Sequence, residues 1–378
     1  MEEKDMKKLV VLIMVLALAF TFVGAHAAEQ KRIGFYADNV DSYYAAETEV
    51  LKALADRDED VDWVIDVVTG TGSAAEQIAA VENFITAGYD AIAVIQNNVE
   101  TTSECIEKCV DAGIPYFGMT HSFASAANAK DAAAWIGYDF IEEGYLAGVD
   151  AVAAGAKKIV NVEGVLGQGS AAAQSLGFIK AYEDAGKDLG EFTSSEDWAA
   201  TKNSGMAGTD DLQIYWCSGG WMKDSAKTQM ANIITELGAD GFDGVYGQND
   251  PMLEGIIEAI EEAGLDPADY FLCGGNGREI SWQWVKDGVI DNDVNQSALL
   301  EGDALYQVLK AYFAGEEIRG GHPYFRPYLN MLDTANIDEV WDSLVPFTDV
   351  EAYLAKRDAG TVVFDINDPL FTDNPDFY

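Results

Sequence analysis

Asn249 and Asp250 stand side by side in "GVYGQNDPM", just after a short apolar run and just before a proline. An amide beside a carboxylate can serve as a catalytic acid, a metal ligand, a helix cap or a grip on a small molecule. Related groups recur where other apolar runs end. Asp38, Asn39, Asp41, Tyr43 and Tyr44 follow "RIGFYA"; Gln96, Asn97 and Asn98 follow "AIAVI"; Thr120 and His121 follow "IPYFGM"; Asn276 follows "FLCGG". Amides both donate to and accept from hydroxyls, and aromatic faces cover the C–H face of a ring. Such a set suits a neutral ligand rich in hydroxyls. Each residue alone reads equally well as a polar loop end or a cap; the recurrence is what carries the reading. Within the pair, Asp250 precedes Pro251 and is expected to cap the following helix, leaving Asn249 for the ligand.

Catalytic patterns are missing. There is no GxSxG, no HExxH and no P-loop, and "GTGSAAE" has only two of the three glycines of a dinucleotide loop. The three histidines are His26, His121 and His322, and only His121 falls among the strand-end groups, without an evident partner. No cofactor and no metal are expected. The four cysteines are Cys105, Cys109, Cys217 and Cys273. Cys105 and Cys109 sit one helical turn apart, where a disulfide would be strained, so buried free thiols are expected. The terminal "DINDPLFTDNPDF" lacks the glycine and closing glutamate of a calcium loop and reads as a solvated acidic tail.

The elements that position these groups alternate. Compact apolar runs ("KRIGFYA", "VDWVIDVVT", "YDAIAVIQ", "IPYFGM") are separated by segments of helical spacing ending at Gly88 and Gly113. Compact runs are the mark of strands buried on both faces, and the order implies a parallel sheet with right-handed crossovers. After "WIGYDFIEEGYLAG" the rhythm restarts through "KKIVNVEG", "FDGVYGQ" and "YFLCGG". The fold class is therefore α/β, with two doubly wound parallel-sheet lobes. Ligands bind such sheets beyond the carboxyl ends of the strands, so two facing lobes would share one cleft.

Bulk properties agree with export. Residues 1–27 run from "MEEKDMKK" through an apolar stretch to "AHA", a signal peptide with cleavage expected after Ala27 and release to the periplasm. The stretch is short of the ~20 residues that span a bilayer. The net charge is −42, and the leader's three lysines balance Glu2, Glu3 and Asp5, so the exported chain keeps it all. Such a surface repels nucleic acid and anionic membrane faces.

Taken together, "IGFYADNVDSYY", "AGYDAIAVIQNN", "DAGIPYFGMTH", "GVYGQNDPMLEGIIEAIEEAG" and "VNQSALLEGDALYQVLKAYFAGEEI" resemble the ribose/galactose-type periplasmic binding proteins, the sugar-capturing subunits of ABC importers. The resemblance covers most of residues 31–325 and implies a type I fold. Its lobes would be 28–138 plus 297–324, and 139–296 plus 325–378 with an extended tail. Three crossings are expected near Tyr138–Asp139, Gln296–Ser297 and His322–Phe325. By position, Tyr43 and Tyr44 would flank a sugar and Asp41, Gln96, Thr120, His121, Gln174, Asn249, Asn276 and Gln296 would bond it. Trp221 would stack on it, with Trp198 and Trp216 as alternatives. Thr120, His121, Gln174 and Asn276 stand where ribose binders carry charges, which makes the site nearly neutral and leaves pentose, hexose, cyclic polyol and furanosyl signal open. The implied function is capture of a neutral monosaccharide or polyol by a monomer that delivers it to an ABC permease, or reports it to a chemoreceptor. A secreted sugar-active enzyme is the remaining rival.

Overall fold

The computed structural model describes residues 29–121, 126–165, 168–190, 206–316, 324–327 and 329–362. The expected signal peptide, Trp198, His322 and the expected acidic tail lie outside the described residues.

Two sheets form the frame. The first has six strands in the order β12-β5-β4-β3-β1-β2, all parallel. These are β1 (Glu29–Ala37), β2 (Val61–Thr69), β3 (Ala91–Ile95), β4 (Tyr116–Met119), β5 (Ala134–Ile136) and β12 (Tyr324–Phe325). The second has seven, β13-β11-β10-β9-β6-β8-β7. They are β6 (Lys158–Glu163), β7 (Ala207–Gly208), β8 (Gln213–Ser218), β9 (Gly244–Gly247), β10 (Phe271–Cys273), β11 (Asn292–Asn295) and β13 (Asn330–Asp333). Only its edge strands β7 and β13 run antiparallel to their neighbours.

The compact strands are buried on both faces, as their composition predicts. In β1 and β3, Ile33, Phe35, Ala91, Ala93 and Ile95 face helices α1 (Ser42–Ala55) and α9 (Ala298–Ala314). The alternate residues Tyr36, Ile92 and Val94 face α2 (Ala74–Ala87) and α3 (Val99–Ala112). A period of two with apolar residues on both sides is the pattern of a covered sheet. β2 reads as apolar as the others but lies at the sheet's edge and is partly exposed. Gly88 and Gly113 end α2 and α3 in the left-handed conformation, at φ 70° and 71°. All four cysteines are free and buried, and burial pushes the Cys105 thiol up to about 11.

In the second lobe, α4 (Phe140–Ala154) and α5 (Gly169–Asp184) cover one face, while α6 (Lys223–Leu237), α7 (Asp250–Glu262) and α8 (Glu279–Asp287) cover the other. The backbones of α4 and α5 nearly touch, because a Cβ at Gly177 would stand on the Ile141 carbonyl.

The chain passes between lobes before α4 and before α9, near the expected positions. The third passage is later than expected. Phe325 is fully buried in the first lobe's core and pairs with β5, so the chain leaves only after it, to reach β13. The tail also departs from the expectation that 325–378 belongs with the second lobe. After β13 and the short α10 (Ile337–Val340), the chain returns. Val345, Phe347, Tyr353, Leu354 and Val362 join the first lobe's core, the last three in or just after α11 (Val350–Asp358). Tyr353 and Arg357 each bond the buried Asp303 of α9 at 2.6 Å. No described helix is long and apolar enough to cross a membrane.

Candidate functional site

The carboxyl ends of both sheets face a cavity of about 740 Å³. Asp41, Tyr43, Tyr44, Thr120, His121, Gln174, Trp221, Asn249, Asn276 and Gln296 all line it. Gln96 does not. It is fully buried under the end of β4, and with its amide turned to suit its neighbours it bonds the backbone of Met119 and His121. It supports the His121 turn. Trp216 also lies elsewhere, its indole N–H donating to Glu163 at 2.6 Å.

Many of these groups are held by other parts of the chain. Asp41 caps α1 by accepting from the Tyr43 amide at 2.7 Å. The expected cap shifts by one residue, from Asp250 to Asn249. Asn249 is the N-cap of α7, its Oδ1 accepting from Met252 N at 2.9 Å, and its Nδ2 donates to the Trp221 carbonyl at 3.3 Å. Asp250 lies inside the first turn, fully buried, and accepts from Arg278 N at 2.7 Å. It pins the loop that carries Asn276. Asn249 still reaches the cavity wall, so it both caps and faces the cleft.

Two hydrogen-bonded chains tie the lobes across the cavity. On one side, the Trp221 indole N–H donates to Gln168 Oε1, whose Nε2 lies 3.1 Å from His121 Nε2; the Tyr44 hydroxyl lies 2.8 Å from the same nitrogen. An indole can only donate, so the Gln168 amide must donate to the ring and His121 Nε2 accepts. Burial lowers the His121 pKa to about 4, in keeping with a neutral ring. On the other side, Asn276 Nδ2 donates to Gln296 Oε1 at 3.1 Å, and Gln296 Nε2 donates to the Tyr43 hydroxyl at 3.1 Å. Gln174 accepts from the Tyr246 hydroxyl at 3.0 Å.

Backbone strain gathers here too. Among the described residues, the non-glycine positions with positive φ are Thr120 (60°), Trp221 (64°) and Asn276 (92°), and all three line the cavity. Left-handed conformations cost roughly 1–3 kcal/mol each and persist where the surroundings impose them, often at binding sites. Trp221 shows how. A Cβ at Gly164 would stand within the indole, so only glycine there lets the ring lie against the end of β6.

Sequence reasoning missed several wall residues. Arg278 and Glu254 form an ion pair at 3.2 Å, and Phe140 and Phe347 add apolar wall. The pair leaves the site close to neutral, with Asp41 the other charged group of the wall among the described residues. Glu254 could have been found on its helix face, one turn beyond Asp250; nothing local in the sequence marks Phe347. Among the described residues, no group of three or more His, Cys, Asp or Glu could hold a metal ion.

Beneath the cavity lie carboxyls whose pKa values burial raises. Glu47, which accepts from Thr120 Oγ1 at 2.6 Å, is pushed well above its ordinary range, as are Glu143 and Asp293; Asp250 is raised to about 7. A raised native pKa adds stability at low pH that is lost as pH climbs, for Asp250 between about 4 and about 7. His121 opposes this below about 6.5, where the unfolded chain gains a proton that the buried ring refuses. The carboxyls outnumber it, so the urea midpoint is expected to be higher near pH 5.5 than near pH 8. A midpoint that stays level or rises with pH would show these carboxyls to be ionised in the native state.

A profile of the family described as "Periplasmic binding protein domain" matches residues 33–317. The galactofuranose-binding protein YtfQ of Escherichia coli (strain K12) is 26% identical over 311 residues, covering 80% of this chain and 88% of that protein. A crystal structure of a galactofuranose binding protein superposes with a TM-score of 0.68 at 22% identity, over 83% of this chain and 98% of the other. An ABC transporter solute binding protein from Bacillus halodurans C-125 with bound myo-inositol gives 0.68 at 21%, over 83% and 98%. With two parallel-sheet lobes, a cleft between their carboxyl ends and a match over most of its length, the chain belongs to the periplasmic binding protein family, a family of non-catalytic solute-binding proteins.

Proposed function

We propose that this protein captures a neutral monosaccharide or polyol in the interlobe cavity, by closure of the lobes, and delivers it to the permease of an ABC transporter. The observation that carries this reading is the cavity wall. Amides, hydroxyls and aromatic rings from both lobes surround about 740 Å³, and among the described residues its one cationic group is already paired with Glu254. That volume lies within the usual range for small-molecule sites. Tyr43, Tyr44 and Trp221 would cover C–H faces, and Thr120, His121, Gln174, Asn249, Asn276 and Gln296 would exchange hydrogen bonds with hydroxyls. The names of its relatives, which include binders of galactofuranose and myo-inositol, point the same way. Export through the leader, with cleavage near Ala27, is part of the proposal.

A thermal-shift panel of D-galactose, L-arabinose, D-fructose, D-allose, myo-inositol and xylitol tests it. A ligand that binds only the folded chain raises the melting temperature, by about 2.7 kcal/mol of added stability at a hundred times its Kd. At least one member is expected to do so, while glutamate and phosphate do not. A panel in which only anions stabilise the protein would overturn the reading.

A further inference from the structure

The segment from Leu344 to Thr348 lies beyond the part of the chain that matches the family, which ends at residue 317. It is the return passage from the second lobe to the first, and it is bound on both sides. The Asn295 side chain grips the Val345 backbone twice, donating to its carbonyl at 3.2 Å and accepting from its N–H at 3.3 Å. Ser297 Oγ donates to the Pro346 carbonyl at 2.6 Å, and Phe347 N donates to Glu279 at 3.2 Å. Asp349 then caps α11, which Asp303 anchors to the first lobe. The strap is thus fixed at the β11–α9 crossing, beside Gln296.

Its side chains are placed with equal care. Phe347 packs on Tyr43 with ring centroids 5.6 Å apart at 56°, and both rings line the cavity, as does Thr348. Only 7% of Phe347 is exposed, and the residue lies in the cavity wall. Tyr43 and Phe347 make an aromatic corner on the first lobe's wall, and Trp221 stands on the second. An apolar ring held by four backbone hydrogen bonds loses little freedom when a ligand arrives.

Resting on the function proposed above, we propose that Phe347 is a ligand-contacting, specificity-determining residue. In this reading the C-terminal strap, outside the family region, supplies half of an aromatic corner that covers the C–H face of a cyclic sugar or cyclitol. The site would then favour ring-shaped ligands over open-chain polyols of similar hydroxyl count, because an open chain has no continuous apolar face to lay on the corner.

The test uses the full mature chain and two variants, Phe347→Leu and Phe347→Ala. Leucine keeps an apolar plug in the strap and removes the aromatic face, so it decides the matter even if the alanine variant fails to fold. Each is titrated calorimetrically with whichever of D-galactose, L-arabinose, D-fructose, D-allose and myo-inositol binds the unaltered chain most tightly, and with xylitol. Kd for the cyclic ligand is expected to rise about tenfold or more in both variants, and by less for xylitol, with little change in the leucine variant's ligand-free melting temperature. A rise below about threefold in the leucine variant, where the unaltered chain binds, overturns this inference and leaves the function standing. So does binding confined to xylitol. Failure of the unaltered chain to bind any of the six panel compounds removes the function and this inference with it.

Discussion

Replacing Arg326 by alanine is expected to lower the unfolding free energy by about 3–5 kcal/mol. Arg326 Nη1 meets Asp139 Oδ2 at 2.9 Å, and the two residues are only 5% and 3% exposed. Burial pushes the Asp139 carboxyl up, and Arg326 helps to pull it back. Asp139 Oδ1 is already occupied as the cap of α4, accepting from Glu142 N at 2.9 Å. Removing the guanidinium therefore strands a carboxylate that water cannot reach. The pair also joins the end of the first lobe's last strand to the start of the second lobe's first helix, so its loss loosens the crossing itself. Urea unfolding checks the size of the effect. The double variant Asp139→Asn/Arg326→Met, which removes both charges, is expected to recover most of the loss. A single variant that loses less than about 1 kcal/mol would mean that the carboxylate is solvated after all.

The second large effect concerns ligand affinity. Trp221→Ala is expected to cost about 2–4 kcal/mol of binding, roughly 30-fold to 1000-fold in Kd, for the panel member that binds best. Its ring is fixed before any ligand arrives: seated against Gly164, held through its N–H by Gln168, with its backbone carbonyl bonded by Asn249. Alanine removes the stacking face and also frees Gln168, which holds His121. Trp221→Phe keeps a face and loses the N–H, so it is expected to fall between. Isothermal titration of the three proteins separates the two contributions. Affinity unchanged in the alanine variant would move the stacking role to another ring of the wall.

Much of this architecture was legible in the sequence because its signals are local. Runs such as "AIAVI" are buried on both sides, and a helix that ends at glycine announces its stop. The strand-end residues also follow from topology, since every parallel strand of one sheet delivers its carboxyl end to the same edge. Where the reading failed, the deciding contact was distant. Gln96 ends a strand as the others do, but Gly118 on the neighbouring strand leaves room for its amide to fold beneath the turn. Asn249 and Asp250 are both good caps, and proline is tolerated at either of the first helical positions, where the N–H is an orphan anyway. The choice went to Asn249 because the buried Asp250 carboxylate has the Arg278 amide to accept from. The return of the tail to the first lobe depends on Asp303 and Asn295, which no local pattern links to residues 344–362.

The two hydrogen-bonded chains across the cavity bear on how such a protein could choose its ligand. The groups proposed to hold a sugar do not wait with empty valences: His121 is engaged by Gln168 and Tyr44, Gln296 by Asn276 and Tyr43. Recognition then becomes barter, in which each incoming hydroxyl must take over a bond that it breaks. A molecule with a hydroxyl missing would part these partners without replacing one of them, and a buried polar group left so costs about 1–3 kcal/mol. Discrimination among close isomers would come less from new attraction than from the failure of near-misses to restore what they disturb.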